Sequence, residues 1–298
     1  MSTAVSVDTP RPGSKLANAR QAYDLALAGA AGAVFGLYLY VELIQTRDVY
    51  QRDAAAGLLI GGAVGFFLNA SGPFRDAAWR KFARRSTWGT IAGALGGAAG
   101  LVLGEVIIGW FQGGLIGRAF SWAVLGVGIG VSQGLAERSP QRLLHGVLGG
   151  LLGGAVGGYL FEALRLAMKD RYDLGQGLGI VILGAGLGTF LALAEQVLRR
   201  AWVQILSGRQ EGRTYLLARG RSALGLDERA EVGLFADPLI ARRHAEIEHN
   251  ARGYVLINHA EAGRTRVNGL DVAADSQTPL HDGDRIVLGQ TQLLFRQR

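Results

Sequence analysis

The chain has 298 residues, enough for two domains of ordinary size, and its composition divides them near residue 205. Its net charge of +7 would suit a nucleic-acid partner, but the bases gather where apolar runs end, at Arg75, Arg80, Lys81, Arg84 and Arg85 and again at Arg199 and Arg200. From Ser207 onward 13 Arg meet 12 Asp plus Glu, so no basic groove is formed and no nucleic-acid partner is expected. The absence of cysteine excludes disulfides, thiolate catalysis and Cys-ligated zinc.

Residues 1–24 are polar, carry Pro10 and Pro12, and lack the apolar core of a signal peptide. They are expected to be a disordered cytoplasmic tail. Between residues 25 and 200 lie 35 of the 46 glycines and six apolar stretches, at 25–44, 54–71, 87–111, 119–136, 143–168 and 174–198. Each approaches the roughly 20 residues a bilayer span requires. None shows the polar stripe of a soluble core helix, so a Gly-rich helical membrane domain is expected over 25–200. Arg and Lys are denser in the tail, at 72–86, at 137–142 and at Arg199–Arg200 than at the other breaks. The positive-inside rule then places both termini in the cytoplasm. Arg-for-Lys usage and abundant Ala, Gly and Leu suggest a GC-rich bacterial genome, hence a bacterial inner membrane. Phe74 to Arg85, with Phe74, Trp79 and Phe82 among bases, reads as a helix lying on the inner leaflet.

Glycines recur at three- or four-residue spacing, as in Gly89, Gly93, Gly97 and Gly146, Gly150, Gly154. Such small-residue faces let helices approach closely in lipid, within one chain or between copies in a homo-oligomer. The GVGIG run at 126–130 belongs with them, because no strand precedes it as a nucleotide-binding loop would need. Paired helices repeat loosely: the odd ones end on Glu42, Glu105 and Glu162, and the even ones on Asn69, Glu137 and Glu195. Three similar helix hairpins are expected. Glu42, Glu105 and Glu162 either ring a cation entrance or sit hydrated at the interface, paired with Arg47, Arg118 and Arg165.

After Trp202 the pattern changes to short alternating runs, TYLLA, AEIEH, GYVLIN and RIVLG, separated by Asn268-Gly269 and Asp282-Gly283 turns. A linker is expected at 201–212 and an all-β sandwich at 213–298. Arg243-His244-Ala245 after Asp237-Pro238, Thr265 with Val267-Asn268-Gly269, and Asp282-Gly283-Asp284 before Leu288-Gly289 occur in the order found in forkhead-associated (FHA) domains. From about Arg213 to Arg298 the chain resembles that family. The resemblance implies an antiparallel sandwich whose loops at one end read phosphothreonine, with an Arg after a Gly, a Ser two residues before the second Arg of the RRH stretch, and an Asn-Gly-Thr loop. Here Gly225 is followed by Leu226, Ala241 stands at the Ser position, and Gly263-Arg264 replaces Asn-Gly before Thr265. Aligning Gly220-Arg221 instead restores the Arg but stretches the spacing to Ala241.

A phosphate dianion needs charge-assisted donors, so these departures degrade the cradle unless Arg242, Arg243 and Arg264 compensate. The binding set expected is Arg242, Arg243, Arg264, Thr265 and Asn268. His244 resembles the family's bracing His, and His249, His259 and His281 lack metal-ligand spacing, so neither metal nor cofactor is expected. Asp282 and Asp284 shape a hairpin with no nucleophile or base beside them, and no enzyme is expected. The leading reading is a membrane-anchored scaffold or signalling protein that recruits a cytoplasmic protein partner, with or without phosphothreonine. The alternatives are a channel or small transporter regulated by the FHA-like domain, and a structural part of an envelope assembly.

Overall fold

The computed structural model describes residues 12–298 apart from 76–77, 112–113, 138, 208–209, 218–219, 236, 251–252 and 261–263. Six α-helices come first: α1 (Pro12–Leu43), α2 (Val49–Arg75), α3 (Trp79–Phe111), α4 (Gly114–Glu137), α5 (Pro140–Ala167) and α6 (Tyr172–Leu198). All six contain segments of 21 to 29 residues long and apolar enough to cross a membrane. Their outward surface is apolar, with Leu27, Tyr38, Leu95, Ile116 and Leu152 exposed, a distribution that water would penalise and lipid would not. α5 shows how a boundary is set. Ser139 caps the helix by accepting the Arg142 N–H at 3.3 Å, and Pro140 occupies the first turn, where its missing N–H costs nothing.

Each helix packs on its sequence neighbours and α1 closes on α6, so the bundle is a ring. Glycine makes the closure possible. A Cβ at Gly61 would fall on the Gly93 carbonyl, one at Gly130 on the Gly146 carbonyl, and one at Gly29 on the Gly184 carbonyl. This backbone contact recurs at every second interface (α2–α3, α4–α5, α6–α1). The glycines at these crossings are therefore occupied by the chain's own helices. All six helices contribute to one apolar cluster, including Ala33, Val64, Leu101, Leu125, Phe161 and Leu187.

The second part has eleven strands: β1 (Ala201–Ile205), β2 (Thr214–Leu216), β3 (Arg221–Gly225), β4 (Val232–Gly233), β5 (Ala245–Asn250), β6 (Gly253–Asn258), β7 (Thr265–Val267), β8 (Leu270–Asp271), β9 (Gln277–Leu280), β10 (Arg285–Leu288) and β11 (Thr291–Gln297). They form two sheets, β2-β1-β11-β10-β7-β8 and β4-β3-β5-β6-β9, antiparallel except for the short β3–β4 pair. Val203, Leu224, Ile247, Leu256, Ile286 and Phe295 interleave between them, fully buried. Each such side chain contributes about 1.5–3 kcal/mol.

Three expectations are corrected. The tail is helical from Pro12, because its residues find partners on α6: Gln21 donates to Glu195 at 2.7 Å and Gln196 donates to the Asn18 carbonyl at 2.9 Å. Residues 1–11 lie outside the described residues. The linker contains β1, which pairs with β11 from Ala201↔Gln297 to Ile205↔Leu293 and buries Ala201, Val203 and Ile205. Trp79 to Arg85 forms the first turns of α3 and is no separate surface helix, while Phe74 lies in the last turn of α2. The side chain of Glu137 lies outside the described residues.

Candidate functional site at the loop end of the sandwich

Loops after β3, before β5 and before β7 meet at one end of the sandwich. Gly225 makes their closeness possible, since a Cβ there would strike the Arg242 and Ala241 carbonyls. The Leu226 N–H donates to the Ala241 carbonyl at 3.2 Å and the Asp227 N–H to the Arg242 carbonyl at 3.1 Å. Asp237 anchors the turn that follows, accepting the Leu239 N–H at 2.9 Å, the Gln290 N–H at 2.6 Å and the Thr291 hydroxyl at 3.1 Å. Burial alone would raise its pKa. Those donors outweigh burial and hold the carboxyl below its ordinary value.

Beneath the loops runs a buried hydrogen-bond chain. His244 accepts the Ala241 N–H on Nδ1 at 3.0 Å, which leaves Nε2–H to donate to Thr265 Oγ1 at 3.1 Å. Thr265 in turn donates to Asn258 Oδ1 at 2.7 Å, and the Asn258 amide reaches the Val272 carbonyl at 2.9 Å. Burial lowers the His244 pKa below its ordinary 6.5, so the neutral ring is the native form. In the unfolded chain it protonates at about 6.5. Its contribution to stability is therefore present above that pH and is lost as pH falls toward the folded pKa. The denaturation midpoint of the sandwich is expected to drop on acidification below about pH 6.5. Against His244→Gln, which takes up no proton in this range, the excess acid sensitivity should vanish; an identical pH profile would exclude this source.

The five expected binding residues separate into four groups. Arg242 projects into solvent, 80% exposed, with a 3.9 Å pair to Asp227, and Arg264 is also exposed. Arg243 is turned onto buried Glu246, whose pKa that hydrogen bond lowers. Thr265 is fully buried in the chain just described, so its hydroxyl faces no ligand. Asn268 lies at the opposite end of β7, where it donates to Asp284 at 2.9 Å and accepts the Arg285 N–H at 2.9 Å. Its backbone is left-handed, φ 52°, as an Asn-Gly turn requires. Leu226 packs against the sandwich core. Arg221, the alternative donor, pairs with Glu248 at 3.3 Å at the far end of β3 from Gly225. Gly263 lies outside the described residues.

The acids proposed for a pore entrance differ in their surroundings. Glu105 pairs with Arg118 at 3.2 Å and buried Glu162 with Arg165, while Glu42 is exposed. Asp53, not singled out in the sequence, is buried 3.6 Å from Arg118. Between the helices lies the apolar cluster described above.

This two-sheet sandwich, with its Gly225 loop, its His244 brace and its Asn-Gly and Asp-Gly turns, makes the C-terminal part of the chain an FHA-like domain. Residues 204–298 match the family described as the inner membrane component of T3SS, cytoplasmic domain. Among solved structures, an FHA domain from a study of phosphothreonine-dependent FHA interactions is 30% identical and covers 33% of this chain and 97% of its own (TM-score 0.30). The FhaA FHA domain complexed with the intracellular domain of Rv3910 is 31% identical over 32% of this chain and 99% of its own (TM-score 0.29). The cytoplasmic domain of the T3SS sorting platform protein PscD from P. aeruginosa is 28% identical over 33% and 80% (TM-score 0.29). No curated protein matches the chain.

Proposed function

We propose that the protein is an inner-membrane scaffold that holds its FHA-like domain at the cytoplasmic face and recruits a protein partner there without reading phosphothreonine. The observation that carries this reading is Leu226. The position from which the family resemblance expects a guanidinium is an aliphatic side chain packed on the core, and Ala241 offers a methyl where a hydroxyl is expected. Arg242 and Arg264 remain exposed at the loop end and suit an acidic or polar peptide surface. The bias of Arg and Lys toward the helix ends that meet the sandwich supports cytoplasmic termini. The matched inner-membrane T3SS family and the sorting-platform relative support a role in assembly rather than catalysis.

The test is a titration of residues 200–298, which retain β1, against matched phosphothreonine and unphosphorylated peptide libraries. Equal affinities are expected. A phosphate preference of about tenfold or more, lost in Arg242→Ala or Arg264→Ala, would overturn the proposal, since that is the least a charge-assisted bond to phosphate contributes.

A further inference from the structure

A cavity of about 820 Å³ lies where the ring meets the sandwich. That is the size of a small-molecule site. Its walls come from the N-terminal parts of α1, α3 and α5, the C-terminal parts of α2, α4 and α6, β1 and β2 with Leu206 and Glu211 to Arg213 between them, and Glu231. We propose that it binds a phosphate-bearing anion which bridges the two parts of the molecule.

Charge is the first argument. Six basic side chains line the cavity against four acids, and one of those acids, Asp24, is paired with Arg75. Arg142 feels Glu195 and Glu231, which offsets part of the excess and not all of it.

The second argument is direction. The positive-inside rule asks only for bases near the helix end, and Arg80 and Arg84, both exposed, would satisfy it. Lys81 and Arg85 repeat the same i, i+4 spacing one residue on, and both line the cavity. The bases are thus duplicated on an inward face.

The third is the helix dipole. Lys81 lies in the first turn of α3 and Arg142 in that of α5, and neither turn holds an acid. Bases at a helix N-terminus oppose the dipole, whereas an anion there is favoured by the dipole and the bases together. Asn69, Ser71, Gln133 and Thr214 add neutral polar groups around the same space. The sandwich closes it: Lys81 Nζ donates to the Ala230 carbonyl at 3.4 Å and the Arg80 N–H to Glu228 at 2.8 Å. An occupant would touch both parts and favour their docked arrangement.

The experiment uses the full chain in nanodiscs. Inorganic pyrophosphate is added in pure phosphatidylcholine, and in parallel phosphatidylglycerol replaces part of the lipid. A saturable rise in the unfolding midpoint of a few degrees is expected in at least one arm. The pyrophosphate arm alone would identify a soluble anion, and the phosphatidylglycerol arm alone a lipid headgroup. The rise should disappear in Lys81→Gln/Arg142→Gln and persist in Arg80→Gln/Arg84→Gln. A second readout needs no variant: the active anion should slow amine labelling of Lys81 and leave Lys15 and Lys169, the other two lysines, unchanged. No midpoint shift in either arm, equal loss in both variant pairs, or unprotected Lys81 would overturn the proposal.

Discussion

Gly61→Val is expected to prevent the helical ring from assembling. The valine Cβ would fall on the Gly93 carbonyl oxygen, and no rotamer can relieve a clash made by Cβ itself, so α2 and α3 must separate along their whole crossing. Overpacking costs about 1–3 kcal/mol at a site that can relax. Here the obstacle is backbone, and in lipid the lost dispersion contacts are the main force between helices, so a value at or above the top of that range is expected. Gly177→Ala is the control, because a Cβ there meets nothing within 4 Å and Ala is the better helix former. The check is the yield of monodisperse full-length protein in detergent and its unfolding midpoint. A wild-type midpoint for Gly61→Val would show that the two helices do not cross as described.

Thr265→Val is the corresponding lesion in the sandwich. The two side chains share a shape, but the hydroxyl both accepts from His244 and donates to Asn258. Without it the buried His244 N–H loses its hydroxyl acceptor, while Asn258 Oδ1 keeps only the Ala260 N–H, at 3.0 Å. Orphaning a buried group costs about 1–3 kcal/mol, so the domain should lose about that much in denaturant unfolding. Thr265→Ser, which keeps the hydroxyl, should recover most of the loss. Equal losses for Val and Ser would mean that the methyl, and not the hydrogen bond, matters at this position.

Thr265 also shows where sequence reading runs out. Its residue type announced a donor, but a hydroxyl that donates to a ligand and one that donates inward to Asn258 look alike until burial is known. Asn268 was legible as a turn residue, since Asn-Gly favours the left-handed backbone it adopts, yet nothing local says at which end of β7 that turn lies. β1 was missed for a different reason. Its alternation lasts only five residues and begins directly after Arg199-Arg200, so the basic flank of the last helix disguised the first strand. Asn258, the hub of the buried chain, left one signal: an amide ending the apolar run GYVLIN. The helices were legible because a missing polar stripe is a property of every turn, whereas convergence of Lys81, Arg142 and Arg213 on one cavity depends on three separated segments meeting. Leu226 was the most informative single residue. Its departure from the family pattern was visible in the sequence: an aliphatic side chain has no donor, and the structure adds that it packs on the core.

The join between the two parts has a consequence for how a partner is found. Only Arg199 and Arg200 separate α6 from β1, and Arg298 returns from β11 to donate to the Val197 and Arg200 carbonyls, at 2.7 and 2.9 Å. A flexible tether would let the domain sweep a hemisphere whose radius grows as the square root of tether length. This mount sweeps almost nothing. Binding then forfeits little tether entropy, and the domain's height and facing are fixed relative to the bilayer. The burden of search falls on the partner, which must diffuse to the membrane and arrive already oriented.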